Sequence, residues 1–252
     1  MRLAGSTALV TGASSGLGRA TAGLLAGRGV RVLAHGRDAA ALAALAERTG
    51  SVPLVADLAE PGAGQRLAER ALEVAGHVDL LVANAGTGYA GPFAGMPADA
   101  VAPLVAANLT ACLELTRALL PGMLARGAGG LAYVTSIAGR TGVAGEAVYA
   151  ATKAGLDAFA ESLRLELVGS GVWVGVLVPG VVDTPFFERR GRPYQRTTPR
   201  PLPVERVAAA LVRLVETGGA EAYRPRWLRL PVAVRGVAPG AYRRLAARFG
   251  RD

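Results

Sequence analysis

A chain of 252 residues can bury a sizeable core within one α/β domain. Half of it is hydrophobic (51%), mostly alanine and valine spread between charges. The longest apolar stretch, residues 172–182, is broken by Gly175, Pro179 and Gly180 and falls short of the ~20 residues that a membrane span needs. The formal net charge of +9 is almost all arginine. One cluster holds Arg189, Arg190, Arg192, Arg196 and Arg200; a second holds Arg224, Arg226, Arg229, Arg235, Arg243, Arg244, Arg248 and Arg251. Neither comes with zinc-finger spacing or an aromatic RNA-binding signature, so a solvated basic surface is expected and a nucleic-acid partner is not. Cys112 is the only cysteine, which excludes an intrachain disulfide, and the N-terminus enters a strand pattern at once, leaving no room for a signal peptide. A cytoplasmic protein is the expectation. With only His35 and His77 and no ligand cluster, no metal site is expected.

Along the chain, short branched apolar runs alternate with longer helical stretches. Strands are predicted at residues 7–11, 31–35, 51–56, 79–83, 130–136, 173–178 and 222–224. Helices are predicted at 16–28, 39–48, 64–74, 98–125, 148–168 and 204–217. Near-continuously apolar strands separated by helices imply a parallel sheet covered on both faces. The right-handed crossover rule makes that sheet doubly wound and Rossmann-like, with about seven strands and a short helical tail. Residues 1–252 therefore read as a single dinucleotide-binding domain. It includes a long loop at 186–203, rich in Arg, Pro and Thr, with room for one helical turn, and a tail at 226–252.

Directly after the first strand comes Thr11-Gly12-Ala13-Ser14-Ser15-Gly16-Leu17-Gly18-Arg19. Gly12 permits a tight turn, Gly16 lets backbone approach a pyrophosphate, and Gly18 lets helix and strand pack closely. The helix N-terminus there offers N–H groups and partial positive charge to phosphates. The spacing differs from GxGxxG and resembles the TGxxxGxG of the short-chain dehydrogenase/reductase family. At the end of the second strand, Ala34-His35-Gly36-Arg37 lacks the acid that would accept the ribose hydroxyls of NAD. Arg37 can pair with a 2′-phosphate, and Ser14 and Ser15 can add hydroxyl donors, so NADP(H) is expected in preference to NAD(H). Asp57-Leu58 resembles the family's adenine-contacting pair, although an Asp there also suits a turn cap.

Asn84-Ala85-Gly86 resembles the family's NNAG element, with Ala83 replacing the first Asn. Asn108 is an awkward residue for a helix interior, and the matching Asn of the family orders a water at a local helix distortion. Ser136 closes the fifth predicted strand, and Tyr149-Ala150-Ala151-Thr152-Lys153 follows. On a helix, positions i and i+4 share a face, so phenol and ammonium can approach one substrate. Ketone reduction needs a proton delivered to oxygen as hydride reaches carbon. A neighbouring ammonium and the positive charge of a bound oxidised nicotinamide are together expected to draw the tyrosine pKa down from ~10, while Ser136 holds the oxygen and Lys153 binds the nicotinamide ribose. A YxxxK alone usually marks a solvated helix face; the order Ser, Tyr, Lys after a nucleotide turn argues against that.

Together with Pro179-Gly180-Val181-Val182-Asp183-Thr184, these motifs resemble the family over roughly residues 5–225. The resemblance implies a metal-free, dinucleotide-dependent carbonyl reductase or alcohol dehydrogenase, dimeric or tetrameric. Its site residues would be Asn108, Ser136, Tyr149 and Lys153 for catalysis, and Gly12, Ser14, Ser15, Gly16, Leu17, Gly18, Arg37, Asp57, Leu58, Asn84, Ala85, Gly86, Tyr149, Lys153, Pro179, Gly180, Val182 and Thr184 for the cofactor. Tyr89, Phe93, Val143, Glu146, Val181, Phe186 and Phe187 are the expected pocket walls, a mostly apolar set suited to a lipophilic or acyl-type substrate. The arginines at 189–200 beside them suit either an anionic group or an exposed lid. The tail departs from that of the family's 3-oxoacyl-carrier-protein reductases, so a homodimer through the predicted helices at 98–125 and 148–168 is expected over a tetramer. Tyr242, Leu245, Ala246 and Phe249 share a helical face opposite arginines; such a helix more often covers its own domain or a dimer mate than an anionic membrane. Two rival classes are a catalytically silent NADP(H)-binding regulator on the same fold and a basic interaction protein.

Overall fold

The computed structural model describes residues 2–195 and 197–249, with the side chains of residues 248 and 249 outside that description. Its strands are β1 (Thr7–Val10), β2 (Arg31–Gly36), β3 (Val52–Val55), β4 (Leu80–Ala83), β5 (Gly129–Val134), β6 (Val172–Pro179) and β7 (Glu221–Arg224). They form one parallel sheet in the order β3-β2-β1-β4-β5-β6-β7. β1 and β4 at its centre are buried at every position, as strands covered on both faces must be. One face is covered by α1 (Gly16–Ala26), α2 (Ala39–Thr49) and α9 (Val204–Thr217), which bury Leu25, Leu42 and Leu211 against Val10, Val32 and Val82. The other carries α3 (Ala63–Ala75), α5 (Ala111–Arg126) and α7 (Ala147–Glu166), with Leu67, Leu115 and Leu156 packed on Leu9, Leu81 and Leu131.

The strand order reverses between β1 and β4. Chain ends of both strands open there on the carboxyl side of the sheet, where ligands of open α/β folds bind. Local chemistry sets the element ends. Asp38 caps α2 by accepting from the Ala41 N–H at 2.9 Å, and Gly50 ends it at φ 68°, a left-handed conformation that favours glycine.

Two elements differ from the sequence expectation, and a third, the long loop, agrees with it. Residues 98–125 are not one uniform α-helix: α4 (Ala98–Val105) passes through a π-turn at Ala106–Thr110 into α5. That turn carries Asn108, and such insertions reorient side chains within an otherwise continuous helix. The whole run, residues 98–126, is long and apolar enough by length and composition to cross a membrane, yet Ala111, Cys112, Leu115, Leu119 and Met123 pack into the core. β5 ends at Val134, so Ser136 does not close it; Ser136 instead caps the short α6 (Ile137–Thr141), its hydroxyl accepting from the Ala138 N–H at 3.1 Å. The segment 186–203 contains the expected helical turn, α8 (Phe186–Arg189), and is drawn back to the sheet by a bridge between Val182 and Leu202.

The tail forms a 3₁₀ turn at Arg226–Leu228, then α10 (Arg229–Val237) and α11 (Pro239–Phe249). It docks on core through Leu228 and Val232 and, beyond them, on a polar staple. Arg140 of α6 makes a two-pronged pair with Asp157 of α7 at 2.8 and 2.9 Å and reaches Glu221 of β7 at 2.7 Å. Over this, Arg235 donates to the Arg140 carbonyl and the Tyr242 hydroxyl to that of Thr141. Leu245 on the expected apolar face is half exposed. Of the arginines singled out in the sequence, Arg196 and Arg251 lie outside the described residues, as do the side chains of Arg248 and Phe249.

Candidate active site

A cleft of about 1410 Å³ runs along the carboxyl ends of the strands. Its floor is set by an unusually close approach between the turn after β1 and the end of β4. The Thr11 hydroxyl accepts from the Asn84 and Ala85 N–H groups at 3.0 and 2.9 Å, and the Asn84 amide donates to the Thr11 carbonyl at 2.9 Å. A Cβ on Gly18 would lie 2.2 Å from the Gly12 carbonyl oxygen, and one on Gly12 would lie 2.9 Å from the Ala85 Cα. Gly12 and Gly16 also sit at φ 69° and 51°. Only glycine fits the loop, and what remains is a cradle of backbone at the start of α1.

Sequence reasoning missed what lies beneath it. His35, 2% exposed on β2, takes the Gly12 N–H on Nδ1 at 3.4 Å and places Nε2 3.2 Å from the Ala56 carbonyl, while its own carbonyl accepts from the Ala13 N–H at 2.7 Å. One donor and one acceptor nitrogen describe a neutral ring, and burial lowers its pKa from 6.5 to about 4. A polar residue in an otherwise apolar strand next to the glycine turn was the available signal. Thr11 was within the motif but had no role assigned to it.

At one end of the cleft, Gly36 has no room for a side chain because the Ser14 hydroxyl oxygen stands 2.8 Å from where its Cβ would be. Beside it the Arg37 guanidinium is 65% exposed and 3.7 Å from Asp57. Asp57 lines the cleft and caps its turn through the Ala59 N–H at 3.0 Å. Leu58 is buried beneath. At the other end stand Ser136, Tyr149 and Lys153. Lys153 is 3% exposed, its ammonium donates to the Val134 carbonyl at 2.9 Å, and it lies 5.9 Å from the centre of the Tyr149 ring. A Cβ on Gly86 would come within 3.4 Å of both that ammonium and Asn108 Oδ1.

Asn108 is fully buried and lies behind the cleft rather than on its wall. Its amide accepts from the Thr87 N–H at 2.8 Å and donates to the Thr87 carbonyl at 2.8 Å and to Thr152 Oγ1 at 3.2 Å. The side chain thus fixes the Asn84–Gly86 loop to α7. Gly18 likewise packs behind the cleft. The remaining expected cofactor positions (Ser15, Leu17, Pro179, Gly180, Val182 and Thr184) line it, with the Thr184 methyl against Gly16.

Two expectations need correction. Tyr149 is pushed up to about 12, not drawn down: burial is the largest cause, Glu146 adds to it, and the Ser136 hydrogen bond and Arg190 only partly oppose it. Burial also lowers Lys153, and its ammonium is turned towards a carbonyl rather than the phenol. Phe93 is no pocket wall; it is 64% exposed in a 3₁₀ turn at Phe93–Gly95, because the chain between β4 and α4 swings it outward. The other expected walls are in place. Phe186 lies 5.4 Å from the Tyr149 ring, Phe187 edges onto Phe186 at 5.5 Å, and Tyr194 closes the row at 5.4 Å. None of the described tail residues lines the cleft, although Leu228 backs Gly180 from behind.

A glycine cradle at the reversal of a doubly wound sheet, with serine, tyrosine and lysine at the far end of one cleft, defines a nucleotide-dependent oxidoreductase fold and site. The short chain dehydrogenase family model matches residues 6–195, and the chain belongs to that family, as an NAD(P)-dependent dehydrogenase/reductase. It is 39% identical over 249 residues to an uncharacterized oxidoreductase of Myxococcus xanthus, covering 96% of each chain. It is 33% identical over 186 residues to the 3-oxoacyl-[acyl-carrier-protein] reductase FabG of Escherichia coli, covering 73% of this chain and 76% of that one. Among solved structures, the short-chain dehydrogenase from Sphingobium yanoikuyae in complex with NADPH superposes with a TM-score of 0.83 at 29% identity, covering 98% and 96% of the two chains.

The buried His35 makes a pH prediction. Its folded pKa is depressed, so below 6.5 the unfolded chain binds a proton that the folded chain refuses, and stability is lost as pH falls from 6.5 towards 4. The loss is on the order of 3 kcal/mol at the lower limit. Urea unfolding at pH 7.0 and 4.5 should show a larger drop for the wild type than for His35→Gln. Equal drops would mean that His35 is not held neutral.

Proposed function

We propose that this protein is an NADP(H)-dependent reductase that interconverts a ketone and a secondary alcohol, with Tyr149 as the proton donor and acceptor. The observation that carries this reading is the convergence of Ser136, Tyr149 and Lys153 at one end of the cleft whose other end is the glycine cradle and Arg37. The cradle fits a dinucleotide, since its glycines leave backbone N–H groups where side chains would otherwise intrude. Gly12, Ser14, Ser15, Gly16 and Leu17 would hold the phosphates, Asp57 and Leu58 the adenine side, and Asn84, Ala85, Gly86, Lys153 and the segment Pro179 to Thr184 the nicotinamide side. When bound, the cofactor supplies hydride to the carbonyl carbon. Tyr149 gives its phenolic proton to the carbonyl oxygen, and the Ser136 hydroxyl holds that oxygen as charge develops on it.

The preference for NADP(H) rests on Arg37, exposed and only loosely paired, and on the absence of an acid at Gly36. The apolar walls support a lipophilic or acyl-type substrate; FabG, a relative, is a 3-oxoacyl-[acyl-carrier-protein] reductase by name. Phe186, Phe187 and the rest of residues 186–203 serve as a lid that excludes water from the reacting atoms. The whole chain, lid and tail included, works as one domain around one sheet, in a cytoplasmic homodimer through the helices at 98–125 and 148–168, where Leu113 and Leu165 are exposed.

Tyr149→Phe should lower kcat by about 10²–10⁴-fold while leaving NADPH binding within a few-fold of wild type, because only the transferable proton is removed. Near-normal kcat would end the mechanism. Arg37→Asp should weaken NADPH by roughly 10-fold or more, as loss of a charge-assisted contact does, with NADH unaffected or improved. A wild type that uses NADH as well as NADPH would refute the cofactor assignment.

A further inference from the structure

The lid meets the reacting end of the cleft through a charged pair that the chemistry above does not use. Glu146 immediately precedes α7 and stands three residues before Tyr149; Arg190 immediately follows α8. Their side chains form an ion pair, and only 15% and 10% of the two side chains is exposed. Arg190 is held from several sides. Its guanidinium lies 4.6 Å from the centre of the Phe187 ring, its Nε donates to the Arg192 carbonyl at 3.2 Å, its carbonyl accepts from the Ala90 N–H at 3.1 Å, and its Cβ packs beside Gly88. The neighbouring Arg189 points the other way, to Ser15 Oγ at 2.9 Å.

We propose that Glu146 and Arg190 are a specificity-determining pair: the carboxylate neutralises a lid guanidinium that faces the substrate, so the pocket accepts an uncharged, apolar ketone or secondary alcohol and turns away one that bears a carboxylate or phosphate near the reacting carbon. This rests on the reading of the cleft as a ketone-reducing site. Phe186 packs on the Tyr149 ring and Phe187 on Phe186, so the wall nearest the phenol is apolar, although Arg189 and Arg192 also line the cleft. An anionic substrate would have to lie against Glu146 or draw Arg190 away from it, breaking a nearly buried ion pair, and either arrangement is costly. Selectivity of this kind comes from a repulsive element as much as an attractive one. The opposed influences of Glu146 and Arg190 on Tyr149 are consistent with the pair standing next to the reacting oxygen. The pair also splits the arginine cluster by role, since a guanidinium matched by an internal carboxylate is not a free anion receptor.

The test compares two ketones of one shape, an aryl methyl ketone and the same ketone with a para-carboxylate, as kcat/KM with NADPH. Wild type should favour the neutral ketone by about 10-fold or more, as expected where a buried charge goes unmatched. Glu146→Gln keeps the side-chain shape but exposes the Arg190 guanidinium to the substrate, a group suited to two-pronged carboxylate binding. It should shift the ratio at least 10-fold towards the carboxylate ketone, roughly the loss of the same discrimination. Arg190→Met should bring no such gain. Because each ratio is taken within one protein, partial loss of fold cancels. Calorimetric binding of the two ketones to the protein loaded with NADP⁺ should give the same ordering without turnover. A wild type that treats both ketones alike, or a Glu146→Gln ratio unchanged in kinetics and binding, overturns the pair. If neither ketone is reduced but the binding preference and its reversal persist, the pair stands and the reaction assigned to the cleft fails.

Discussion

Everything in this molecule depends on how closely the turn after β1 is allowed to approach the end of β4. The two strands are neighbours at the point where strand order reverses, and Thr11 and Asn84 knit their ends together by main-chain and side-chain hydrogen bonds. That contact is possible only without side chains at Gly12 and Gly18, since a single added carbon would meet backbone at 2.9 and 2.2 Å. The reward is a set of backbone donors aimed at one place with a helix N-terminus behind them. His35 carries the same constraint into the sheet. Its neutral ring sits under Gly12 and links the glycine turn to the chain after β3.

The reacting end is built on a different economy. Ser136, Tyr149 and Lys153 are each at most 9% exposed, and burial is the largest influence on the ionisation of Tyr149 and Lys153. A buried phenol is a poor acid in isolation, and what surrounds it decides how it behaves: a serine hydroxyl, a glutamate one turn earlier and an arginine supplied by the lid. The segment around α8 sets an aromatic ring on Tyr149 and a cation beside Glu146, so it shapes both the packing and the electrostatics around the phenol.

Local chemistry in the sequence made much of this legible. The glycine turn and the apolar strands follow from short-range geometry, and the spacing of Tyr149 and Lys153 on α7 brings both to the same cleft. Pairings made across long stretches of chain could not be read in the same way. Arg140 finds Glu221 eighty-one residues away, and Arg190 finds Glu146 across forty-four; either arginine alone looks like a solvated surface charge. Asn108 looked out of place in a helix, and the reason proved to be a π-turn that hands its amide to Thr87 and Thr152. The error over Tyr149 came from counting a nearby ammonium and omitting desolvation, which only a three-dimensional environment reveals. Phe93 was misplaced because an aromatic residue after a glycine-rich stretch carries no sign of which way its turn faces.

The most direct test of the central claim follows a single atom. The purified protein is incubated with a neutral aryl ketone and NADPH carrying deuterium on the transferred face of C4, and the alcohol is analysed by mass spectrometry and NMR. Direct hydride transfer with a proton from Tyr149 places one deuterium on the carbinol carbon and none on oxygen after exchange, with one NADPH consumed per alcohol formed. Alcohol without deuterium at that carbon, or NADPH binding with no alcohol from any ketone in a broad panel, would contradict the assignment of this cleft as a ketone-reducing active site.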